Sequence, residues 1–309
     1  TAAIYAARAM LKPMLVQGIQ PGGQLTITTD VENYPGFADV IQGPWLMDQM
    51  QAQAAHVGAE IISDIVLEAD LSQRPFRIRT DSGQDWLAET VIIATGAQAK
   101  WLGLDSEAKF QGFGVSACAT CDGFFYKGQD VAVIGGGNSG IEAAIDLAGI
   151  VEHVTVIEFA EQLKADAVLV NKLNSLPNVT VHTNAQTTEI TGDGSKVNGI
   201  RYKDRATGTE HHVELEGVFV QIGLVPNTEF LKGTLELSKH GEIVVDAKGH
   251  TNVSGVFAAG DVTTVPYKQI VIAAGEGAKA ALSAFDYLIR TPAPQGIPKA
   301  EGRPQLATT

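Results

Sequence analysis

Residues 116–140, SACATCDGFFYKGQDVAVIGGGNSG, decide the fold of this chain. An apolar, β-branched run at residues 131–134 enters the turn G-x-G-x-x-G at residues 135–140, and a helical pattern starts at Ser139. In such a turn the first glycine makes the tight bend, the second lets backbone N–H groups approach a pyrophosphate, and the third lets the helix pack on the strand. The pattern therefore predicts a strand–turn–helix unit that binds a dinucleotide.

The next predicted strand, residues 154–158, ends at Glu158. A carboxylate at this position accepts hydrogen bonds from the ribose hydroxyls of NAD(H) and repels the 2′-phosphate of NADP(H), which requires a cation. Residues 157–161 contain no arginine, and Lys164 is the nearest cation in the sequence. NADH is therefore favoured as the nucleotide, and NADPH is the alternative. If no nucleotide binds, the glycines form a purely structural turn and Glu158 is a solvated residue at the end of a strand. The predicted NAD(P)H site consists of Gly135, Gly137, Asn138, Ser139, Gly140 and Glu158.

Both cysteines of the chain, Cys118 and Cys121, lie in one C-x-x-C pair. This spacing lets the thiols form a disulfide, and it lets one thiol attack while the other resolves. Two other interpretations are a zinc site, which lacks two further ligands nearby, and a pair of buried inert cysteines. Asp122 follows directly and either protonates a departing thiolate or caps a helix. We expect a redox-active pair and no metal site.

Length, composition and charge exclude several classes of protein. The chain has 309 residues, of which 45% are hydrophobic, and its 33 glycines suit α/β nucleotide folds with more than one core. The formal charge of −13 gives no sequence-wide field for nucleic acid or anionic membranes. Two cysteines are too few for a disulfide-stabilised secreted protein, and no apolar run has the length of a membrane span. We expect a cytoplasmic protein with no nucleic-acid or membrane partner.

A second nucleotide-type pattern surrounds the first. A β-branched strand at residues 90–95 stops at Gly96, a strand at 218–222 ends in a glycine-containing crossing, and residues 255–261 precede a helix at 268–289. Hydride leaves a nicotinamide as a two-electron unit that a disulfide does not readily accept, so a flavin is required between them. The sequence predicts two Rossmann-like three-layer α/β domains, one inserted in the other. They are an FAD-binding domain (1–99 and 227–290) and an NAD(P)H-binding domain (100–226) with the C-x-x-C pair, followed by a disordered tail (291–309).

Five motifs carry a family resemblance: GGQLTITTDVENYPGF, ATGA, SACATCDGFF, VIGGGNSG and GVFAAGDV, in this order. Over about residues 1–290 the chain resembles the low-molecular-weight thioredoxin reductases, a family that includes the flavoprotein subunit of alkyl hydroperoxide reductase. The resemblance implies a homodimeric, thioredoxin-disulfide-reducing flavoenzyme in which Cys121 faces the flavin and Cys118 attacks the protein substrate. It implies FAD contacts from Gln24, Leu25, Thr28, Asn33, Thr95, Gly96, Gly260, Asp261, Lys268, Gln269 and Ile270.

The resemblance changes along the chain. The first part, with CATC, is similar to thioredoxin reductases, whereas the part from Val131 onward is similar to the peroxide-reductase flavoprotein. The implied partner is thioredoxin or a thioredoxin-like protein, and the alternative is a peroxiredoxin-type system driven by NADH. The family's opening strand and FAD glycine loop would precede Thr1. Without them we expect weak FAD binding, and a non-catalytic nucleotide-binding fragment is a further alternative.

Overall fold

The computed structural model describes residues 1–18, 20–26 and 30–293. The chain forms two compact units: Thr1–Thr26, Trp45–Ala97 and the chain from Pro226 onward make the first, and Ile27–Pro44 with Gln98–Val225 make the second. The segment Ile27–Pro44, which the sequence analysis assigns to the FAD-binding domain, groups with the second unit instead. Within its described part, residues 30–44, the two short strands pair only with each other, and no strand of the first unit pairs with them.

Nineteen strands and seven α-helices occur in the described residues. The strands are β1 (Met14–Gln17), β2 (Asp30–Val31), β3 (Ile41–Gln42), β4 (Glu60–Ser63), β5 (Val66–Asp70), β6 (Phe76–Thr80), β7 (Asp85–Ala88), β8 (Val91–Ile93), β9 (Ala97–Ala99), β10 (Val115–Ser116), β11 (Asp130–Ile134), β12 (His153–Ile157), β13 (Val179–His182), β14 (Ala185–Gly192), β15 (Val197–Asp204), β16 (Glu210–Glu214), β17 (Gly217–Val220), β18 (Leu224–Pro226) and β19 (Val256–Ala258). The helices are α1 (Ala2–Arg8), α2 (Gly43–His56), α3 (Asp105–Phe110), α4 (Ala119–Asp122), α5 (Asn138–Ala148), α6 (Ala167–Asn174) and α7 (Ile270–Arg290).

The second unit is built on a five-stranded parallel sheet in the order β10-β17-β11-β12-β13. Successive residues of β11 point to opposite faces of the sheet, and both faces are buried. Val131 and Val133 pack with α5, whereas Ala132 and Ile134 pack with the antiparallel meander β14-β15-β16. The sheet therefore lies between a helical layer and a β-meander.

The first unit contains two parallel strand pairs, β1-β4 and β8-β19, and an antiparallel meander β5-β6-β7. In β19, Val256 and Ala258 belong to the core beneath the meander, whereas Phe257 contacts Ala280 and Ala284 of α7. Helix α7 thus covers one face of the β8-β19 pair and the meander covers the other.

Several predicted elements differ from the structure. The alanine-rich pattern of residues 1–11, with Ile4, Ala7 and Leu11 on one face, predicts a helix. Helix α1 ends at Arg8 instead, because Met10 and Lys12 have φ of +60° and +50°. The apolar, β-branched run at residues 243–245 predicts a strand over 243–246, which the structure reduces to isolated bridges at Ile243. Region 97–114, predicted without regular structure, contains α3, and α7 begins at Ile270 rather than at residue 268. Most of the predicted tail, residues 294–309, lies outside the described residues.

No helix in the described ranges combines the length and apolar character needed to cross a bilayer.

Candidate redox and nucleotide site

Cys118 and Cys121 form a disulfide directly after β10, with an S–S distance of 1.99 Å, and both residues are half-buried. Cys118 is the N-terminal cap of α4, where its Sγ accepts a hydrogen bond from the Cys121 N–H at 3.2 Å. The Cys118 N–H donates to the Ser116 Oγ at 3.0 Å. The bonded sulfurs correspond to the oxidised state of the redox-active pair that the spacing predicts.

Asp122 ends α4 and is half-buried. Burial raises the pKa of its carboxyl; a hydrogen bond with Ser116 opposes this shift and the charge of Asp30 adds to it. The Asp122 side chain makes no capping hydrogen bond to the 3₁₀ turn Gly123–Tyr126 that follows. The arrangement therefore favours a carboxyl that can hold a proton beside the disulfide over a helix cap.

The glycine turn between β11 and α5 has the geometry that the sequence predicts. Gly135 has φ of +126°, and a Cβ on Gly140 would collide with the Gly135 carbonyl oxygen. A Cβ on Gly137, the residue before α5, would have no heavy atom within 4 Å. The turn is therefore closely packed at Gly140 and open at Gly137. Gly137 lies at the N-terminus of an eleven-residue helix, and a helix N-terminus favours an anion.

The two polar residues that open α5 differ in their contacts. Asn138 forms two hydrogen bonds with Asp166. The Asn138 Nδ2 donates to the Asp166 Oδ2 at 3.0 Å, and the Asn138 Oδ1 accepts from the Asp166 backbone N–H at 2.8 Å. Ser139 is exposed on the first helical turn. Asn138 therefore ties the turn to the N-terminus of α6, whereas Ser139 faces solvent.

Glu158 lies just beyond β12 and is joined to the glycine turn. Its Oε2 accepts from the Gly136 N–H at 2.5 Å and its Oε1 accepts from the Ala160 N–H at 2.7 Å. These two bonds fix the carboxylate against the turn, at the strand end where the adenosine ribose lies in this class of fold. The structure therefore brings together Gly135, Gly137, Asn138, Ser139, Gly140 and Glu158.

A cation absent from the local sequence also lies at this strand end. Arg205, in the β15–β16 turn, donates from Nη1 to the Phe159 carbonyl oxygen at 2.8 Å, and its guanidinium carbon lies 3.8 Å from the centroid of the Phe159 ring. No sequence signal near Glu158 reveals this arginine, because the contact joins residues from separate elements.

The predicted FAD residues of the first unit form two groups. In one, the Thr95 Oγ1 donates to the Asn227 carbonyl oxygen at 2.8 Å, and the Asn227 Nδ2 donates to the Thr95 carbonyl oxygen at 2.7 Å. Gly96 follows with φ of +69°, a Cβ placed on it would meet no heavy atom within 4 Å, and the Gln24 side chain donates to the Ala97 carbonyl oxygen. Leu25 is half-buried in the adjoining 3₁₀ turn.

The second group surrounds the start of α7. Lys268 Nζ donates to the Thr263 and Val265 carbonyl oxygens at 2.5 and 2.9 Å and pairs with the Glu242 carboxylate at 3.1 Å. Burial raises the pKa of the Asp261 carboxyl, and the charge of Lys268 opposes this shift. Glu242 is a partner that the sequence analysis did not identify.

The remaining predicted FAD residues are distributed differently. Gly260 precedes Asp261 with φ of +79°, Gln269 occupies the N-terminal cap position of α7, and Ile270 is its first residue. Asn33 belongs to the second unit, and Thr28 lies outside the described residues. The open glycine backbone and the half-buried polar groups of the first unit fit a polar, largely planar cofactor.

A family model described as pyridine nucleotide-disulphide oxidoreductase matches residues 1–277. The chain belongs to this family. The α/β fold and the resemblance to the thioredoxin reductase group are thereby confirmed.

Two curated relatives of this oxidoreductase family differ in how much of their length the chain spans. It is 54% identical over 296 residues to an alkyl hydroperoxide reductase subunit of Pseudomonas putida, covering 95% of the chain and 56% of that relative. It is 48% identical over 291 residues to a thioredoxin reductase of Rickettsia conorii, covering 93% of the chain and 94% of that relative. The chain therefore spans about half the length of the first relative and nearly all of the second.

Among solved structures of the family, a thioredoxin reductase from Giardia duodenalis superposes with a TM-score of 0.90 at 38% identity, covering 93% of the chain and 94% of that structure. The similarity therefore extends through both units.

Proposed function

We propose that this protein is an FAD-dependent pyridine nucleotide-disulfide oxidoreductase that reduces thioredoxin or a thioredoxin-like protein. Electrons pass from NAD(P)H through FAD to Cys118–Cys121 and then to the partner's disulfide. The observation that carries the proposal is the half-buried disulfide whose second cysteine, Cys121, lies 14 positions before Gly135, the start of a dinucleotide-type glycine turn in the same unit. Similarity to thioredoxin reductases over 93% of the chain supports it.

The disulfide chemistry balances as an exchange. Two electrons and two protons convert Cys118–Cys121 to a dithiol, and the Cys118 thiolate attacks one sulfur of the partner's disulfide and expels the other. Cys121 then attacks the Cys118 sulfur, which releases the partner as a dithiol and restores the enzyme disulfide. The raised pKa of the Asp122 carboxyl increases its protonated fraction at a given pH, and the protonated carboxyl can donate to a departing thiolate.

The first unit provides the groups for FAD. Gly96 supplies open backbone, the Thr95–Asn227 pair supplies exposed polar atoms, and Gly260, Asp261 and Lys268 supply half-buried backbone and polar atoms. Gln24, Leu25, Gln269 and Ile270 adjoin these groups. When bound, FAD supplies the step between two-electron nicotinamide chemistry and the dithiol.

Glu158 supports NADH as the preferred nucleotide. Its carboxylate is fixed by two backbone N–H groups at the strand end, where it can accept from ribose hydroxyls and where it repels a 2′-phosphate. We expect Glu158→Ala to reduce the ratio of kcat/KM for NADH to that for NADPH by about tenfold. An unchanged ratio would contradict this role.

The second candidate is an NADH-driven reductase of a peroxiredoxin-type partner. The observation that favours it is the 54% identity to the alkyl hydroperoxide reductase subunit, although the chain spans only 56% of that relative. The two candidates share the same route to Cys118–Cys121 and differ in the protein that accepts the electrons.

One experiment tests both candidates. Purified protein supplied with FAD is assayed for reduction of thioredoxin and of a peroxiredoxin-type carrier, each with NADH and with NADPH. Thioredoxin reduction that Cys118→Ser and Cys121→Ser each abolish supports the first candidate. Faster reduction of the carrier favours the second, and nucleotide oxidation that is independent of both cysteines refutes both.

Oligomeric state and location complete the proposal. Helix α7 exposes Leu282 and Ile289, which are 54% and 63% accessible, and such apolar groups support a homodimer. Sedimentation equilibrium tests this association. We place the protein in the cytoplasm, where a dithiol that must return to its reduced state is maintained, and we expect no nucleic-acid or membrane partner.

A further inference from the structure

The guanidinium of Arg205 lies over the exposed aromatic ring of Phe159, the residue that follows Glu158. The guanidinium carbon is 3.8 Å from the Phe159 ring centroid, a distance that indicates a cation–π stack. Phe159 is 54% exposed and Arg205 is exposed as well. Among the described residues, none forms an ion pair with Arg205, so its charge is not committed to a carboxylate of this chain. We call these two stacked side chains the Arg205–Phe159 platform.

Backbone hydrogen bonds hold the platform in place. Arg205 Nη1 donates to the Phe159 carbonyl oxygen at 2.8 Å, and the Arg205 N–H donates to the Asn184 carbonyl oxygen at 2.7 Å. The Asn184 N–H in turn donates to the Ala160 carbonyl oxygen at 2.8 Å. The guanidinium is therefore preorganised and not a freely rotating surface side chain.

The platform stands at the end of β12, next to the position that the adenosine ribose takes in a dinucleotide fold. Glu158 marks that position, since its carboxylate is bonded to Gly136 of the glycine turn on one side and Ala160 on the other. We propose that the Arg205–Phe159 platform binds the adenine ring of the dinucleotide, with the purine stacked on the outer face of the guanidinium. This inference rests on the nucleotide site of the proposed function and adds a specificity residue outside the glycine fingerprint.

The geometry favours a planar base over a 2′-phosphate. One of the five guanidinium N–H donors is already bonded to the Phe159 carbonyl oxygen, and the guanidinium carbon lies over the Phe159 ring, so one face of the group is covered and the other face is turned away from Phe159 toward a planar base. The neighbouring Glu158 carboxylate adds a negative charge that opposes a phosphate. A purine meets both conditions, because it stacks on a guanidinium and carries no charge.

The test measures binding of ADP-ribose to the full chain by calorimetry, which requires no turnover. We expect Arg205→Ala to raise the Kd of ADP-ribose about tenfold and to leave the Kd of nicotinamide mononucleotide, which has no adenine, unchanged. Arg205→Lys retains the charge and a donor for the Phe159 carbonyl oxygen but has no flat face, so it should weaken ADP-ribose binding about as much. Arg201→Ala, on the same meander and exposed, is the matched control and should bind normally.

Each other outcome overturns the proposal. If Arg205→Lys bound ADP-ribose as well as the unaltered protein does, Arg205 would act only through its charge or by holding the loop. If Arg205→Ala bound ADP-ribose normally, Arg205 would have no role in binding the nucleotide. Loss confined to 2′-phospho-ADP-ribose would identify a phosphate contact instead. Failure of the unaltered protein to bind ADP-ribose would refute the proposed nucleotide site itself, which separates that failure from a wrong assignment of Arg205.

Discussion

Burial of the Asp122 side chain affects both the stability of the protein and the proton chemistry that we propose. Its pKa is raised chiefly because the carboxyl is removed from water. A carboxyl whose folded pKa is raised contributes stability below its unfolded pKa and loses it as the pH rises through the folded value. Ionised Asp122 therefore destabilises the folded state at neutral pH, a cost that a proton-donating role beside Cys121 would explain.

We expect Asp122→Asn to raise the melting temperature of the oxidised protein at pH 7.5 and to lose this advantage as the pH falls toward 4. The same variant should reduce a partner's disulfide roughly a hundredfold more slowly, the lower end of the contribution of a general acid. Thermal unfolding across pH and partner-reduction kinetics check the two effects. Glu142→Gln, an exposed carboxylate change on α5, should alter neither. Normal kinetics with increased stability would refute the acid role.

At the scale of one element, the turn between β11 and α5 contains two glycines for which we expect different roles: Gly140 in folding and Gly137 in nucleotide binding. Gly140→Ala would place a methyl group against the Gly135 carbonyl oxygen, which is backbone and cannot move aside cheaply. Gly137→Ala would meet no heavy atom within 4 Å, and its φ of −83° suits alanine. We expect the first variant to lose at least about 2 kcal/mol of stability. The second should fold normally and bind ADP-ribose at least tenfold more weakly, because its methyl occupies the approach to the pyrophosphate.

Urea unfolding and calorimetry distinguish these outcomes. If Gly137→Ala bound ADP-ribose normally, the open space above the turn would not be the pyrophosphate site.

Helix α3 depends on a buried carboxylate without a cation partner in the described part of the chain. Glu107 is 1% exposed and accepts from the Leu102 and Gly103 N–H groups at 2.9 and 2.8 Å. Because Glu107→Ala removes the buried charged acceptor of two backbone N–H groups, we expect it to cost about 2–4 kcal/mol in urea unfolding. Asp105→Ala, exposed in the same helical turn, is the control and should change stability by less than about 0.5 kcal/mol. Equal effects of the two variants would mean that solvent satisfies the N–H groups in the alanine variant.

The sequence predicted elements whose determinants are local and missed contacts between distant elements. Strand β11 and helix α5 follow from a β-branched run, a glycine turn and helical periodicity within twenty residues. Glu107 looks like a surface residue until the fold buries it, and Arg205 reaches Phe159 only when the β15–β16 turn meets the end of β12. Residues 243–246 have strand propensity but find no continuous strand partner, so tertiary context overrides the prediction.

At the scale of the whole molecule, the second unit has a core of its own. Its two apolar clusters, on opposite faces of the five-stranded sheet, are drawn wholly from residues 101–222. The segment Ile27–Pro44 groups with this unit, but its described part, residues 30–44, adds no strand to the sheet and no residue to either cluster. The continuous stretch Gln98–Val225 therefore holds the sheet, both faces of its core, the disulfide and the glycine turn.

We expect residues 98–225, expressed alone, to fold cooperatively, because all members of both clusters among the described residues lie within the stretch. The fragment should form the Cys118–Cys121 disulfide and bind ADP-ribose with a Kd within about threefold of the full chain, since the proposed nucleotide contacts all lie inside it. Near-ultraviolet circular dichroism, urea unfolding and calorimetry check these points, with Gly137→Ala in the fragment as the non-binding control. A fragment that lacks fixed aromatic packing would show that the second unit requires the first to fold. A folded fragment that does not bind ADP-ribose would instead place part of the nucleotide site outside residues 98–225.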